Sequence, residues 1–115
     1  MNTQENNKLI AEFMGMKYSD KRVFIDGNWI HSVSSLTRFC TDWNWLMEVV
    51  DKIESIVWEE INDTSFNVTI GATSYCVIQD NNGGMIEIIG EGKSKLDSVY
   101  NACVKFVKWY NEQNK

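Results

Sequence analysis

The feature that most constrains the fold is an apolar stripe with helical spacing along residues 95–111. Its members are Leu96, Val99, Tyr100, Cys103, Val107 and Tyr110. A helix with one apolar stripe must bury that stripe against a sheet or against other helices. Ser94, followed three residues later by Asp97, resembles a capping box and places the helix start at Lys95. The C-terminal part of the chain is therefore predicted to be a long helix packed on a core.

Two further helices are predicted upstream. Residues 7–14 keep a helical spacing of apolar side chains, and Gly15 is a natural stop. Residues 41–58 form the longer one, with Thr41 or Asp42 as its N-cap. Its apolar stripe contains Leu46, Val49, Val50, Ile53 and Val57, and its polar face contains Glu48, Asp51, Lys52, Ser55 and Glu59.

The remaining segments favour strands joined by hairpins. Residues 22–25 and 28–32 flank Asp26-Gly27, which is a strong hairpin turn signal. Residues 66–70, 74–79 and 85–89 are rich in strand-forming side chains, with Gly71 and residues 81–84 between them. The predicted order is α-β-β-α-β-β-β-α. We expect one α+β domain over residues 1–115, with a small antiparallel sheet of three to five strands packed against three helices.

The sequence indicates a cytoplasmic protein. No run approaches the roughly 20 apolar residues that a membrane span needs, and the first eight residues are polar. The three cysteines, Cys40, Cys76 and Cys103, are odd in number and widely spaced, which is unlike a disulfide framework. We therefore expect buried, reduced thiols and no membrane partner.

The negative charge of the chain is concentrated in residues 42–63. Seven acidic residues and a single lysine, Lys52, give this segment a net charge of −6, whereas the whole chain carries −5. Such a segment is a poor direct binder of nucleic acid, because phosphate contacts need Lys and Arg. Its negative charge instead complements the basic surface of a partner protein that itself binds nucleic acid. Glu48, Asp51 and Glu59 are the predicted protein-binding carboxylates; the alternative is a merely solvated helix face.

Tryptophans supply the candidate apolar anchors for such an interface. Trp45 and Trp58 are predicted to lie on the flanks of the second long helix, and Trp109 nearly opposite the stripe of the last one. The alternative is that these three tryptophans pack under loops and cover them. Trp43 is expected to belong to the core.

The residues needed for catalysis are scarce. The single histidine, His31, falls in a predicted strand, and the cysteines fit no zinc-binding spacing. Cys103 and Cys76 are expected in the core. Cys40 precedes a predicted helix start, where a thiol pKa can fall, so it is the one candidate nucleophile. The sequence therefore predicts a protein that is not an enzyme and has no cofactor or metal.

One glycine-rich turn offers a different kind of site. Residues 90–94 end in Gly92, Lys93 and Ser94 immediately before the last helix. They do not complete a phosphate-binding loop, because Glu87 stands where the first glycine would be. A turn at a helix N-terminus can still hold an anion through free backbone N–H groups. The alternative is an ordinary strand-to-helix turn with a cap.

Three segments, residues 7–15, 43–54 and 99–111, together resemble a group of small phage and prophage proteins similar to those with phage ABA-sandwich domains. The resemblance covers the three predicted helices and not the sheet region. Members often have proline after Leu-Met, where this chain has Glu48. The group has no catalytic residues to transfer. The resemblance implies a mobile genetic element, whose small acidic proteins often bind and disable host machinery in the bacterial cytosol.

These observations predict a non-catalytic phage or prophage protein that inhibits a host defence complex, of the anti-CRISPR or another anti-defence type. Its contact with a nucleic-acid-binding effector would be steric or would imitate nucleic-acid charge. The alternative is a module that binds or sequesters a small anionic nucleotide. A homodimer is compatible with either prediction.

Overall fold

The computed structural model describes residues 3–15, 17–18, 22–25, 28–32, 38–58, 64–71, 74–81 and 86–113. Its helices are α1 (Thr3–Phe13), α2 (Arg38–Thr41), α3 (Trp43–Ser55) and α4 (Lys95–Gln113). Its strands are β1 (Lys17–Tyr18), β2 (Arg22–Ile25), β3 (Asn28–Ser32), β4 (Val57–Trp58), β5 (Thr64–Ile70), β6 (Tyr75–Asp80) and β7 (Glu87–Glu91). The α+β class predicted from the sequence is confirmed.

The described strands form two antiparallel sheets rather than the one that was predicted. One sheet has the order β1-β2-β3 and the other has the order β4-β5-β6-β7. In the first, β2 and β3 pair as the predicted hairpin, with Ile25 opposite Asn28. In the second, β5, β6 and β7 pair in sequence order, so neighbouring strands are joined by short connections. The short β1, α2 and β4 are additions to the predicted order.

The second predicted helix is divided in the structure. A short α2 precedes Asp42, which is the N-cap of α3, and α3 ends at Ser55 instead of Trp58. Ile56 is already extended, and Val57 and Trp58 pair with Ser65 and Thr64 as β4. The β-branched Ile56 and Val57 suit an extended backbone. Pairing with β5 therefore ends the helix where the apolar spacing alone would continue it.

The core lies between the inner face of the four-stranded sheet and the helices. The α4 helix packs on β6 and β7, α3 packs on β5, and α1 packs on α4. Phe106 is fully buried at the centre of an aromatic cluster. The rings around it are Phe13, Phe66, Trp109 and Tyr110, with centroids 5.0–6.2 Å from that of Phe106. Aromatic pairs of this kind are worth about 0.5–1.5 kcal/mol beyond the area they bury.

A glycine brings α4 unusually close to the sheet. A Cβ atom added at Gly90 of β7 would lie 2.3 Å from the backbone nitrogen of Ala102 and 2.3 Å from the carbonyl oxygen of Ser98. Both of these atoms belong to the helix backbone, so no side-chain movement could relieve the contact. Gly90 therefore fixes the distance between β7 and α4.

The outer edge of β7 is covered by side chains of α4. The Lys105 ammonium donates to the Ile89 carbonyl oxygen at 2.9 Å, and the Asn101 amide donates to the Glu91 carbonyl oxygen at 2.7 Å. Since Ile89 and Glu91 alternate with residues that face β6, these carbonyls lie on the side of β7 away from its partner strand. Two acceptors of an edge strand are thus already satisfied within the chain.

Candidate functional site

The exposed face of α3 contains two of the carboxylates that the sequence predicts to bind a protein, Glu48 and Asp51. Leu46, Val49, Val50 and Ile53 bury one side of this helix. Asn44, Glu48, Asp51 and Ser55 are exposed at i, i+4, i+7 and i+11, which places them along one line on the opposite side. We call these four residues the acidic ridge. It carries two carboxylates on successive turns.

The charges beside the acidic ridge are engaged elsewhere. The Lys52 ammonium lies over the Phe13 ring of α1, 5.3 Å from its centroid, so it is drawn towards the α1 side of the helix. The Glu54 carboxylate accepts a hydrogen bond from the backbone N–H of Val68 at 3.2 Å and is therefore held against β5. Glu48 and Asp51 remain as the exposed carboxylates that face away from the rest of the fold.

The N-terminus of α3 is fixed by a side-chain cap. Asp42 has an extended backbone, and its carboxylate accepts the backbone N–H of Asn44 at 2.8 Å. A carboxylate at this position also suits the positive end of the helix dipole. The sequence allows either Thr41 or Asp42 as the cap, and the structure assigns that role to Asp42. The cap sets where the acidic ridge begins.

Two of the predictions about tryptophan positions are wrong. Trp43, expected in the core, is 40% exposed; as the first residue of α3 its side chain leans beyond the helix start. Trp109, expected to point outward, is partly buried against Phe66 and Phe106, with centroid distances of 5.8 and 5.6 Å. The α4 helix lies between the sheet and the other helices, so more than one stripe is buried and Trp109 is covered.

The remaining interface candidates are distributed over different elements. Trp45 is partly buried edge-to-face on Phe39, with 5.1 Å between centroids. Trp58 lies on β4 and not on the flank of a helix. Glu59 lies outside the described residues. The structure therefore joins Glu48 and Asp51 on one surface, while Trp109 belongs to a different part of the core.

At the turn predicted to bind an anion, a backbone N–H of the helix start is already bonded to a capping side chain. Gly92, Lys93 and Ser94 are exposed, and the Ser94 hydroxyl accepts the backbone N–H of Asp97 at 3.1 Å, as the capping-box pattern predicts. Asp97 also places a carboxylate in the first turn of α4. A negative charge there competes with a bound anion for the positive end of the helix dipole. These contacts disfavour an anion at this turn.

The thiols are arranged as core residues. Cys76 and Cys103 are fully buried, and burial raises the pKa of the Cys76 thiol to about 11. The pKa of Cys103 is raised further, first by burial and then by the neighbouring Cys76. Cys40 is partly buried in the four-residue α2. The side chain of His31 lies outside what the structure describes, so its distance from Cys40 stays untested.

Sequence reasoning missed a groove between α1, β7 and α4. It has a volume of about 560 Å³ and is lined by Asn6, Ile89, Glu91, Asn101, Val104, Lys105 and Lys108. A periodic signal was present in part, because Asn101, Lys105 and Lys108 follow each other at helical spacing. Their convergence with Asn6 and β7 depends on tertiary packing and could not be predicted from that spacing.

Within the described residues, no group of three or more His, Cys, Asp or Glu side chains is placed to hold a metal ion. The helices of the same part of the chain lack the length and apolar character required to cross a bilayer.

No protein-family model matches this chain, and no curated protein or solved structure shows significant similarity to it.

Proposed function

We propose that this chain is a non-catalytic binding protein that docks the acidic ridge of α3 into the basic, nucleic-acid-binding groove of a host protein. The observation that carries the proposal is the pair of exposed carboxylates Glu48 and Asp51, with Lys52 drawn away towards Phe13. A groove that accepts phosphates presents Lys and Arg, which also attract carboxylates. The bound protein would thereby exclude nucleic acid from its target.

The biological setting of this proposal is inhibition of a bacterial defence complex by a phage or prophage protein. That setting rests on the resemblance of residues 7–15, 43–54 and 99–111 to small phage proteins. The acidic ridge supports it physically, because a defence effector that acts on nucleic acid must have a basic surface. Inhibition of this type needs binding alone and no reaction.

An aromatic side chain adjoins the acidic ridge and adds apolar contact area. Trp43 immediately precedes Asn44 and is the most exposed large hydrophobic side chain of the described residues, at 40%. Tryptophan is enriched among the residues that dominate binding energies at interfaces. Trp45 and Trp109 are engaged with Phe39 and with the aromatic cluster, so we place the apolar anchor at Trp43.

Charge reversal on the acidic ridge tests the proposal. We expect E48K/D51K to lose the partner that the parent protein captures from a bacterial lysate, while its thermal unfolding stays near that of the parent. Exposed substitutions usually change stability by about 0.5 kcal/mol or less each. The partner should be a nucleic-acid-binding protein, and added nucleic acid should release it.

A matched control variant distinguishes the effect of the acidic ridge on binding from the effect of net charge. E87K/E112K changes the net charge by the same amount at exposed positions outside α3, and it should retain the partner. Binding should weaken as salt increases, because opposite charges steer the encounter. Equal capture by the parent and E48K/D51K would refute the proposal, as would a partner that nucleic acid fails to displace.

A further inference from the structure

The single cation of α3 lies away from the carboxylate that its place in the sequence favours. Lys52 follows Glu48 by four residues, and a glutamate four residues before a lysine is the favoured order for an ion pair on a helix. Such a pair would neutralise one of the two charges of the acidic ridge. The position of this side chain matters, because Lys52 is the only Lys or Arg between Arg38 and Lys93.

The structure places Lys52 against α1 instead. Its ammonium lies 5.3 Å from the centroid of the Phe13 ring, and the two residues line one groove together with Glu12 and Tyr110. Glu48 and Asp51 are exposed and form no ion pair with another residue in the described part of the chain. The attraction of a cation to the face of a ring is at least as strong as an exposed ion pair on a helix. Phe13 therefore competes successfully with Glu48 for the lysine.

The Phe13 ring is held by the core and not by the lysine. It packs edge-to-face on Tyr110 and on Phe106, with centroid distances of 5.8 and 6.2 Å. A ring fixed from below presents its face at a constant place beside α3. The cost falls on the acidic ridge, because like charges three residues apart on a helix repel each other. A cation brought by a partner would remove that repulsion.

We propose that Phe13 is a positioning residue of the acidic ridge, which holds Lys52 away from Glu48 and so keeps both carboxylates for cations of the partner. This inference rests on the function proposed for the acidic ridge. In the complex, a partner's side chain takes the place beside Glu48 that helical spacing would give to Lys52. Arginine fits this place best, because its planar guanidinium can donate to both oxygens of a carboxylate.

Proton NMR tests the position of Lys52 without any partner. In the parent protein, the ring current of Phe13 should move the Lys52 methylene resonances upfield, and in F13L they should return to ordinary values. F66L makes the same exchange in the same aromatic cluster, on β5, and should leave the Lys52 resonances where they are. Lys52 resonances without an upfield shift in the parent would overturn the inference.

Binding of fluorescein-labelled decaarginine, measured by anisotropy at low salt, tests the consequence for the acidic ridge. F13L should bind about twofold more weakly than the parent, because the released Lys52 must first leave Glu48. F66L should bind like the parent, which controls for lost core packing. F13L/K52M should bind as tightly as K52M, because no lysine then remains to pair with Glu48.

The pattern of affinities separates the possible failures. The inference is overturned if F13L binds like the parent. It is also overturned if F13L/K52M is weaker than K52M by the factor that separates F13L from the parent, because the ring would then act through the fold. Absent binding by the parent, or equal binding by E48K/D51K, would instead refute the function proposed for the acidic ridge.

Discussion

A buried amide on α1 joins two helices that are far apart in the sequence. Asn7 accepts the hydroxyl of Tyr100 across 93 residues of sequence, so it joins α1 to α4 with a buried hydrogen bond. This hydrogen bond stabilises the packing of the two helices.

The bond between Asn7 and Tyr100 leads to the first stability prediction. Tyr100→Phe keeps the ring and removes the hydroxyl, which leaves the Asn7 carbonyl buried without a donor. We expect a loss of about 1–3 kcal/mol in the free energy of unfolding, measured by chemical denaturation. Tyr75→Phe removes an exposed hydroxyl and should change that free energy by less than about 0.5 kcal/mol. Equal stability of the two variants would contradict this assignment.

The positions of the tryptophans mark the limit of sequence reasoning at the residue scale. Helical spacing placed Trp43 near the core stripe and Trp109 opposite it, and the structure reverses both assignments. Spacing describes angles around a helix but not where the helix starts or how many neighbours surround it. Trp43 lies at the first position of α3, and Trp109 lies on a helix that contacts both a sheet and other helices.

At the scale of elements, α3 depends on its N-cap. Asp42→Ala removes the acceptor for the Asn44 N–H and should cost about 1 kcal/mol in the free energy of unfolding. Asp42→Asn keeps a capping oxygen and removes the charge, so it should retain most of the parent stability. A similar loss in both variants would assign the effect to charge rather than to the cap. Denaturant titration with circular dichroism measures all three proteins.

Element types were predictable to a large extent, and element ends were not. The strands β2 and β3 and the start of α4 at Lys95 agree with the predictions, because turn and cap residues mark them. The end of α3 did not follow from the sequence. Ile56, Val57 and Trp58 extend the apolar character of the helix, and their change to strand requires β5, whose Thr64 and Ser65 lie further along the chain. Prediction of the groove at β7 would likewise have required knowledge of contacts between residues that are far apart in the sequence.

At the scale of the whole molecule, three buried groups link stability to pH. Burial raises the pKa of Cys76 from 9.0 to about 11 and also raises the pKa values of Cys103 and Tyr100. Each group binds its proton more tightly in the folded state. Their contribution to the free energy of unfolding is fully present below about pH 9, where these groups are protonated in both the folded and the unfolded chain. It decreases as the pH rises towards 11.

We therefore expect the melting temperature to be steady near pH 8 and to fall progressively above about pH 9. Scanning calorimetry or circular dichroism melts at a series of pH values measure this. C76A/C103A removes both thiols, so the melting temperature of this variant should begin to fall nearer pH 10, the ordinary pKa of the tyrosine hydroxyl. Superimposable profiles for the parent and this variant would contradict the role given to the thiols.

The covered edge of β7 has a consequence for how copies of this chain meet at high concentration. Crowded copies of a sheet protein tend to join through open strand edges into polymers. With the Ile89 and Glu91 carbonyls already bonded to Lys105 and Asn101, that side of the sheet offers a poor template for growth. The two side chains thus protect this edge of the sheet against the addition of a strand from another copy of the chain.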